Sequence, residues 1–411
     1  MNVLFLTIGR MESIESHSIY PDLLRQFRNH GDEVYIVSQR EKRTGLPTEL
    51  IEDHGAHMLY VRIGNITKCG RIEKGISTLK IESQYLSAIK KYFSNVHFDL
   101  VLYSTPPITL VGVVDYIKKR DNAETYLLLK DIFPQNAVDL GMLKKSGLRG
   151  FLYRYFRMKE KKLYAISDHI GCMSPANVNY VLSHNPEVNK NKVCVCPNSI
   201  EPRDMSLTPE DRMIMRDKYN IPKDKTVFVY GGNLGKPQGI LFLINCLRSQ
   251  KDNSDTYFLI VGDGTEFERL SSFVQNEKQS NVKLMQRLPK EDYDRMVAAC
   301  DVGMLFLDHH FTIPNFPSRL LSYMQAGLPV LSCTDPNTDV GKIAIEGGFG
   351  WWCESNNVEE FDCLIRTITK LDLDNMKRNA QNYLFTHYDV SKVYSNMISD
   401  INKHNIVESF N

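Results

Sequence analysis

Short apolar runs alternate with amphipathic ones along most of the chain. Residues 3–7, 34–37, 58–62, 100–103, 125–129, 169–173 and 193–196 are rich in β-branched and aromatic side chains and read as strands. Helical periodicity lies between several of them, as in residues 20–30 and 83–93. The theme then repeats, with strands expected at 226–230, 257–261, 282–285, 302–306 and 330–332, each near a Gly-rich or polar turn. Such alternation predicts parallel sheets covered by helices on both faces, an α/β fold class. Two doubly wound domains are expected, joined near residues 200–209, a mostly polar stretch holding Pro202 and Pro209. Ligands of open α/β sheets bind outside the carboxyl ends of the strands, so the loops after strands are where chemistry is expected.

A length of 411 residues suits two or three domains. Hydrophobic residues at 42% and charged residues at 24% describe a soluble globular protein, and a formal net charge of +1 gives no global field toward nucleic acid. No apolar run reaches the ~18 residues of a membrane span. The chain starts on a strand, without a signal peptide's basic start and cleavage site. Nine cysteines is an odd number and no CxxC occurs; Cys194 and Cys196 alternate on a strand, as buried packing does. The expectation is a reduced, cytoplasmic protein with no metal site.

Residues 314–330 read as a loop, a short helix, a glycine stop and a buried strand. Pro317 suits a first helical turn, Leu320, Leu321 and Met324 share a face, Gly327 takes the left-handed C′ position, and Pro329 cannot continue the helix. A helix N-terminus with Ser318 and Arg319 in its opening turn could hold an anion, although an ordinary helix–strand unit would look the same. Residues 230–239, with Gly232, Asn233 and Lys236, follow a strand and precede an apolar helix, and residues 261–266, with Gly262 and Gly264, form a second strand-to-helix turn. Closely spaced glycines let backbone approach a pyrophosphate or merely shape a turn. Arg287 follows a further strand. At the end of strand 125–129, Asp131 could accept a proton from a hydroxyl and Lys130 could steady phosphate charge; Asp131 could equally cap the next helix. In the first loop Gly9, Glu12 and His17 line a ligand cleft or face solvent.

Residues 144–162 combine Lys144, Lys145, Arg149, Arg154, Arg157, Lys159, Lys161 and Lys162 with a helical arc of Leu148, Phe151, Leu152, Tyr155, Phe156, Met158 and Leu163. A basic amphipathic helix with aromatics suits an anionic membrane surface, with Arg149, Arg154 and Arg157 as candidate contacts. A core helix with a solvated basic face is the alternative.

The stretch 314–330, ending Ala-Gly-x-Pro-Val, resembles the nucleotide-sugar signature of family 4 retaining glycosyltransferases. It is most similar to the bacterial branch that builds O-antigen and capsule repeats, whose helix opens Pro-Ser-Lys or Pro-Ser-Arg and which includes fucosyl- and N-acetylfucosaminyl-type transferases. Lys130-Asp131-Ile132-Phe133-Pro134-Gln135 resembles that branch's Arg-Asp-Leu-Trp-Pro-Glu turn. The resemblance covers most of the chain and implies the GT-B architecture, two doubly wound Rossmann-like domains facing a cleft. Residues 1–202 would form an acceptor-binding domain, 203–387 a nucleotide-sugar-binding domain, and the last helix, 388–411, would pack back on the first.

The resemblance also implies donor contacts at Gly232, Asn233, Lys236, Gly262, Gly264, Arg287, Ser318, Arg319 and Ser322, and catalytic roles near the transferred sugar for Lys130 and Asp131. Two features depart from the family. Asn233 and Gln238 stand roughly where many members carry Arg and Lys, and Ser322 and Pro314 stand where most carry two glutamates eight positions apart. The implied activity is metal-independent, retaining transfer of a sugar from a nucleotide diphosphate, UDP-linked, to a lipid-linked saccharide at the inner face of the plasma membrane. A partner subunit without transfer activity and a nucleotide-sugar 2-epimerase are the alternatives.

Overall fold

The computed structural model describes residues 1–147 and 150–408, with side chains for all of these except residues 71 and 404–408. The chain divides into two compact units, Met1–Glu201 with Asp389–Asn411, and Pro202–Tyr388.

The first unit starts β1 (Asn2–Leu6), α1 (Ile19–Asn29), β2 (Glu33–Glu41), β3 (Glu49–Asp53) and β4 (Ala56–Ile63). It continues α2 (Arg71–Tyr92), β5 (Leu100–Ser104), α3 (Val111–Asp121), β6 (Glu124–Leu129), α4 (Gln135–Asp139) and α5 (Gly150–Ile166). It then forms β7 (His169–Cys172), α6 (Pro175–His184) and β8 (Val193–Val195). The sheet order is β3-β4-β2-β1-β5-β6-β7-β8, parallel throughout except for the antiparallel β3–β4 pair. The β3 edge was not expected from the pattern, because Glu49, Glu52 and Asp53 dilute its apolar residues.

Side-chain alternation splits this unit's core in two. Leu4 and Leu6 face a cluster with α2, α3 and α5, whereas Val3 and Phe5 face one closed by α1. The second cluster is completed by α15 (Val390–Glu408), whose Val390, Val393, Tyr394, Met397 and Ile401 recur at helical spacing. Tyr394 meets Phe27 of α1 edge-on, with ring centroids 4.9 Å apart. The chain re-enters the unit where Ile200 and Asp389 bridge.

The second unit begins α7 (Pro209–Lys218), β9 (Thr226–Asn233), α8 (Ile240–Ser249), β10 (Thr256–Asp263), α9 (Phe267–Glu277) and β11 (Val282–Met285). It continues α10 (Lys290–Ala298), β12 (Val302–Phe306), α11 (Arg319–Gln325), β13 (Val330–Thr334), α12 (Val340–Glu346) and β14 (Gly350–Glu354), and ends α13 (Val358–Ile368) and α14 (Asp374–His387). Its parallel sheet runs β11-β10-β9-β12-β13-β14, so the winding reverses between β9 and β12. That reversal opens a crevice at the carboxyl ends of those two strands.

Candidate active site

The crevice of the second unit is shaped first by glycines near the ends of two paired strands. β9 and β10 were expected to stop before their glycines, but the ladder runs on through them, pairing Gly231 with Val261, Gly232 with Gly262 and Asn233 with Asp263. The reason is steric. A Cβ on Gly262 would stand 1.9 Å from the Gly232 carbonyl oxygen, so only glycine lets the strands stay paired there. At Gly264, with φ +154°, a Cβ would fall 2.3 Å from the Leu234 carbonyl; this glycine turns the chain away and does not line the crevice. Above the bare strand ends lies a cavity of about 480 Å³. Its walls include Gly232, Asn233, Gly262 and Asp263, then Arg287, then Lys290, Tyr293 and Asp294 of α10, then Ser318, Arg319 and Ser322 of α11.

Arg319 dominates this cavity electrostatically. As the first residue of α11 it turns inward, and its guanidinium carbon lies 4.5 Å from the centre of the Tyr230 ring. The same carbon would be 3.6 Å from a Cβ on Gly232. Tyr323 steadies the wall by accepting the Gly231 N–H at 3.1 Å and donating to the Met304 carbonyl at 3.2 Å. Burial pushes the Tyr230 and Tyr293 hydroxyls up and that of Tyr323 up to about 12, so all three stay neutral beside the cation. Arg319 Nη1 is buried without a hydrogen-bond partner, and among the described residues no carboxylate forms an ion pair with the guanidinium. A buried guanidinium N–H without an acceptor is costly. An anion of matching fork geometry, such as a phosphate, would complete it.

The loop beside it is held by neutral groups. Asn233 Nδ2 donates to Gln238 Oε1 at 3.1 Å, and the Gly235 N–H donates to the same oxygen at 3.2 Å. The two residues at the places of the family's Arg and Lys thus bind each other and fix the turn. Lys236 is exposed on that turn and does not line the cavity, so the structure does not join it with Arg319 in the pocket. The other cations at the cavity are Arg287 and Lys290; Lys290 pairs with Asp294 at 2.7 Å. Gly327 takes the expected left-handed turn, φ +67°, ending α11 one turn after Ser322. Tyr230, Lys290, Tyr293 and Asp294 were missed from sequence. Tyr230 reads as an ordinary strand residue, and α10 carries no glycine or motif that marks it as part of a site.

The first-unit candidates lie at strand ends of the other sheet. The backbone N–H groups of Lys130 and Asp131 both point at Thr105 Oγ1, at 3.1 and 3.3 Å. Lys130 Nζ donates to the Cys196 carbonyl at 3.1 Å, and burial lowers its pKa. The Asp131 carboxylate is pushed up to about 6 by burial, against hydrogen bonds from the Ile132 N–H and from Asn136 Nδ2 at 2.5 Å. Pro134, not Asp131, holds the cap position of α4. Gly9 closes a turn, donating its N–H to Thr7 Oγ1 at 2.9 Å. Glu12 is exposed and pairs with Arg10 at 3.1 Å. His17 stands 3.3 Å from Arg25, which also binds Asp22 at 2.6 Å and Glu201 at 3.0 Å, a network that anchors the chain where it leaves the unit.

Residues 211–383 match the model of the family described as Glycosyl transferases group 1. The chain is a glycosyltransferase. It is 26% identical over 292 residues to the probable glycosyltransferase WbjE of Pseudomonas aeruginosa, covering 71% of each chain. It is 22% identical over 214 residues to a UDP-Gal:alpha-D-GlcNAc-diphosphoundecaprenol alpha-1,3-galactosyltransferase of Escherichia coli, covering 50% of this chain and 52% of that one. Among solved structures it resembles sucrose-phosphate synthase from Thermosynechococcus elongatus, with a TM-score of 0.77, 14% identity and coverage of 99% of this chain and 100% of that one. HepE of Anabaena in complex with UDP matches with a TM-score of 0.67, 16% identity and coverage of 98% and 100%. At such identities the likeness establishes the fold, which is GT-B.

In this transferase the basic helix divides differently from the expected arc. Arg149 and Leu148 lie outside the described residues. Arg154 is exposed. Arg157 is not part of an exposed basic face: its guanidinium binds Glu160 at 2.6 Å, the His184 carbonyl at 3.0 Å and Asn185 at 2.7 Å, tying α5 to the end of α6. Leu163 and Phe156 pack into the core, the latter edge-on to Phe133, whereas Phe151, Leu152 and Met158 are exposed. No helix among the described residues is long and apolar enough to cross a membrane.

Proposed function

We propose that this glycosyltransferase moves a sugar from a UDP-linked donor onto a lipid-linked saccharide, with retention of configuration, during assembly of a capsule or O-antigen type polysaccharide. The observation that carries this reading is the Arg319 guanidinium, whose Nη1 is buried without a hydrogen-bond partner, in a cavity lined by the glycine backbone of Gly231, Gly232 and Gly262. A diphosphate supplies the missing negative charge there, and the absence of side chains at Gly232 and Gly262 lets it approach the main chain. The acceptor class is supported by the Escherichia coli relative, whose name specifies a diphosphoundecaprenol-linked sugar. The UDP group is supported by the bound nucleotide of the structural neighbour.

In the proposed reaction the bond from the sugar C1 to the β-phosphate oxygen breaks, and the acceptor hydroxyl oxygen bonds to C1 on the same face. Arg319 stabilises the departing diphosphate, with Arg287 as the second cation, and no metal is invoked. Asp131 is assigned the acceptor proton, while Lys130 positions the strand end beside it through the Cys196 carbonyl. Fucosyl- and N-acetylfucosaminyl-type cargoes are the first to test, acting at the inner face of the plasma membrane.

The deciding experiment titrates wild type and Arg319→Ala with UDP, UMP and uridine by calorimetry. Loss of a charged hydrogen bond should weaken UDP roughly tenfold to a hundredfold and leave uridine nearly unchanged. Equal losses for all three ligands would make Arg319 a support of the fold and remove the diphosphate reading. A chelator should leave the transfer rate unchanged.

A further inference from the structure

Three consecutive residues of the second unit, Asp308, His309 and His310, stand together on the loop after β12, and none of them lines the donor crevice. They form a tight turn, closed where the Phe311 N–H donates to the Asp308 carbonyl at 3.3 Å. Both ends of the turn are fixed. Leu307 and Phe311 are buried, the Asp308 N–H donates to the Pro237 carbonyl at 2.9 Å, and Asn337 Nδ2 donates to the Phe311 carbonyl at 2.7 Å. The two exposed histidines therefore project from an anchored base, with ring centroids 3.8 Å apart. Asp308 Oδ1 accepts the backbone N–H of His310 at 2.9 Å and stands 2.7 Å from its ring Nδ1. One nitrogen of each ring and one Asp308 oxygen lie within 4.8 Å of one another.

Charge separates this cluster from a similar one. His17, Asp22 and Glu201 also converge, but Arg25 binds all three, so the protein itself supplies the cation there. At Asp308 no Lys or Arg forms an ion pair among the described residues. A divalent metal would supply that charge. Two imidazoles and a carboxylate make a donor set that suits Zn2+, whereas Mg2+ and Ca2+ take oxygen ligands. Zinc bonds of about 2.0–2.1 Å put tetrahedral donors roughly 3.3 Å apart. Small rotations of the exposed rings reach that spacing, and the remaining positions fall to water. Cysteine spacing gave no hint of such a site, because the cluster uses none.

We propose that Asp308, His309 and His310 form a binding site for a divalent metal of the zinc class. The site stands apart from sugar transfer, which keeps its metal-independent reading. Full-length protein stripped of metal with a chelator is titrated with Zn2+ by calorimetry and with Co2+ by visible absorption. Binding of one Zn2+ is expected here, and bound Co2+ should show d–d bands without a thiolate charge-transfer band. Asp308→Asn keeps an acceptor for the His310 N–H but removes the charge, and His309→Ala removes one ring. Each should weaken Zn2+ at least roughly tenfold, a loss seen even when only the supporting partner of a metal ligand is removed. Cys363→Ser, which removes an exposed free thiol, should leave Zn2+ affinity unchanged. One replacement is isosteric and the other touches an exposed ring, so without metal both variants should melt like wild type and bind UDP with unchanged affinity. Zn2+ should raise the melting temperature of wild type more than that of either variant. Equal Zn2+ affinity in wild type and both variants would overturn the site. So would an absence of Zn2+ binding, its loss in Cys363→Ser, or its displacement by equimolar Mg2+.

Discussion

Arg319 and Asp131 are both partly buried, and their surroundings act on them differently: Arg319 stays charged, whereas the Asp131 carboxyl is held toward its neutral form. Arg319 keeps its charge against three neutral tyrosines and has nothing to neutralise it, so its variants should report on phosphate binding. Lys236, on the exposed turn, supplies the contrast: Lys236→Ala is expected to change UDP affinity less than about threefold, with only a distant, screened charge removed. A loss matching that of Arg319→Ala in the same titration would return Lys236 to the donor contacts that the family resemblance implies. Asp131 is pushed up to about 6. A folded-state pKa above the unfolded value contributes stability that is fully present below about pH 4 and is lost as the pH rises through 6. Asp335 is pushed up to about 6 as well and slopes the same way. Asp131→Asn should therefore raise unfolding stability by up to roughly 3 kcal/mol at pH 8 and hardly at pH 4, measured by denaturant titration at both. If Asp131 is also the base, the same variant loses turnover far more than UDP affinity, and the rising limb of kcat near pH 6 disappears. A stabilised variant with normal turnover would assign Asp131 to packing alone.

At the scale of elements, the site depends on how strand ends meet. The pairing of β9 with β10 through Gly232 and Gly262 leaves room for a ligand and none for a Cβ. Gly262→Ala is expected to force these ends apart, costing about 1–3 kcal/mol and weakening UDP at least tenfold; an unchanged melting temperature and affinity would show that the crevice is softer than its geometry. The glycines were legible in sequence as a possible phosphate turn, as was the α11 stop at Gly327. What was not legible was the role of α10. Lys290, Tyr293 and Asp294 look like any exposed amphipathic helix until α10 packs beside α11 at the crevice. The α5 helix shows the same limit: Phe156 and Phe151 both lie on the arc read from periodicity, yet one packs on Phe133 and the other faces outward, because the core contacts only part of that arc.

At the scale of the whole molecule, the last helix completes the unit in which the chain began. Met397 is buried against a cluster that includes Phe5 and Phe27. Met397→Ala should cost about 2–5 kcal/mol of stability through the cavity it leaves, while UDP affinity stays at the wild-type value because the donor crevice lies in the other unit. A fall in both would mean that the two units unfold together. Apolar runs alternating with amphipathic ones were enough to foresee parallel sheets, since burial on both sheet faces leaves a periodic record in the chain. The partners of each charge left no such record. Whether Arg319, Lys236, Arg157 or Lys130 meets a phosphate, solvent, a glutamate or a backbone carbonyl depends on which surfaces packing brings together and which it buries. Those contacts join residues far apart in the chain, and only the folded arrangement decides them.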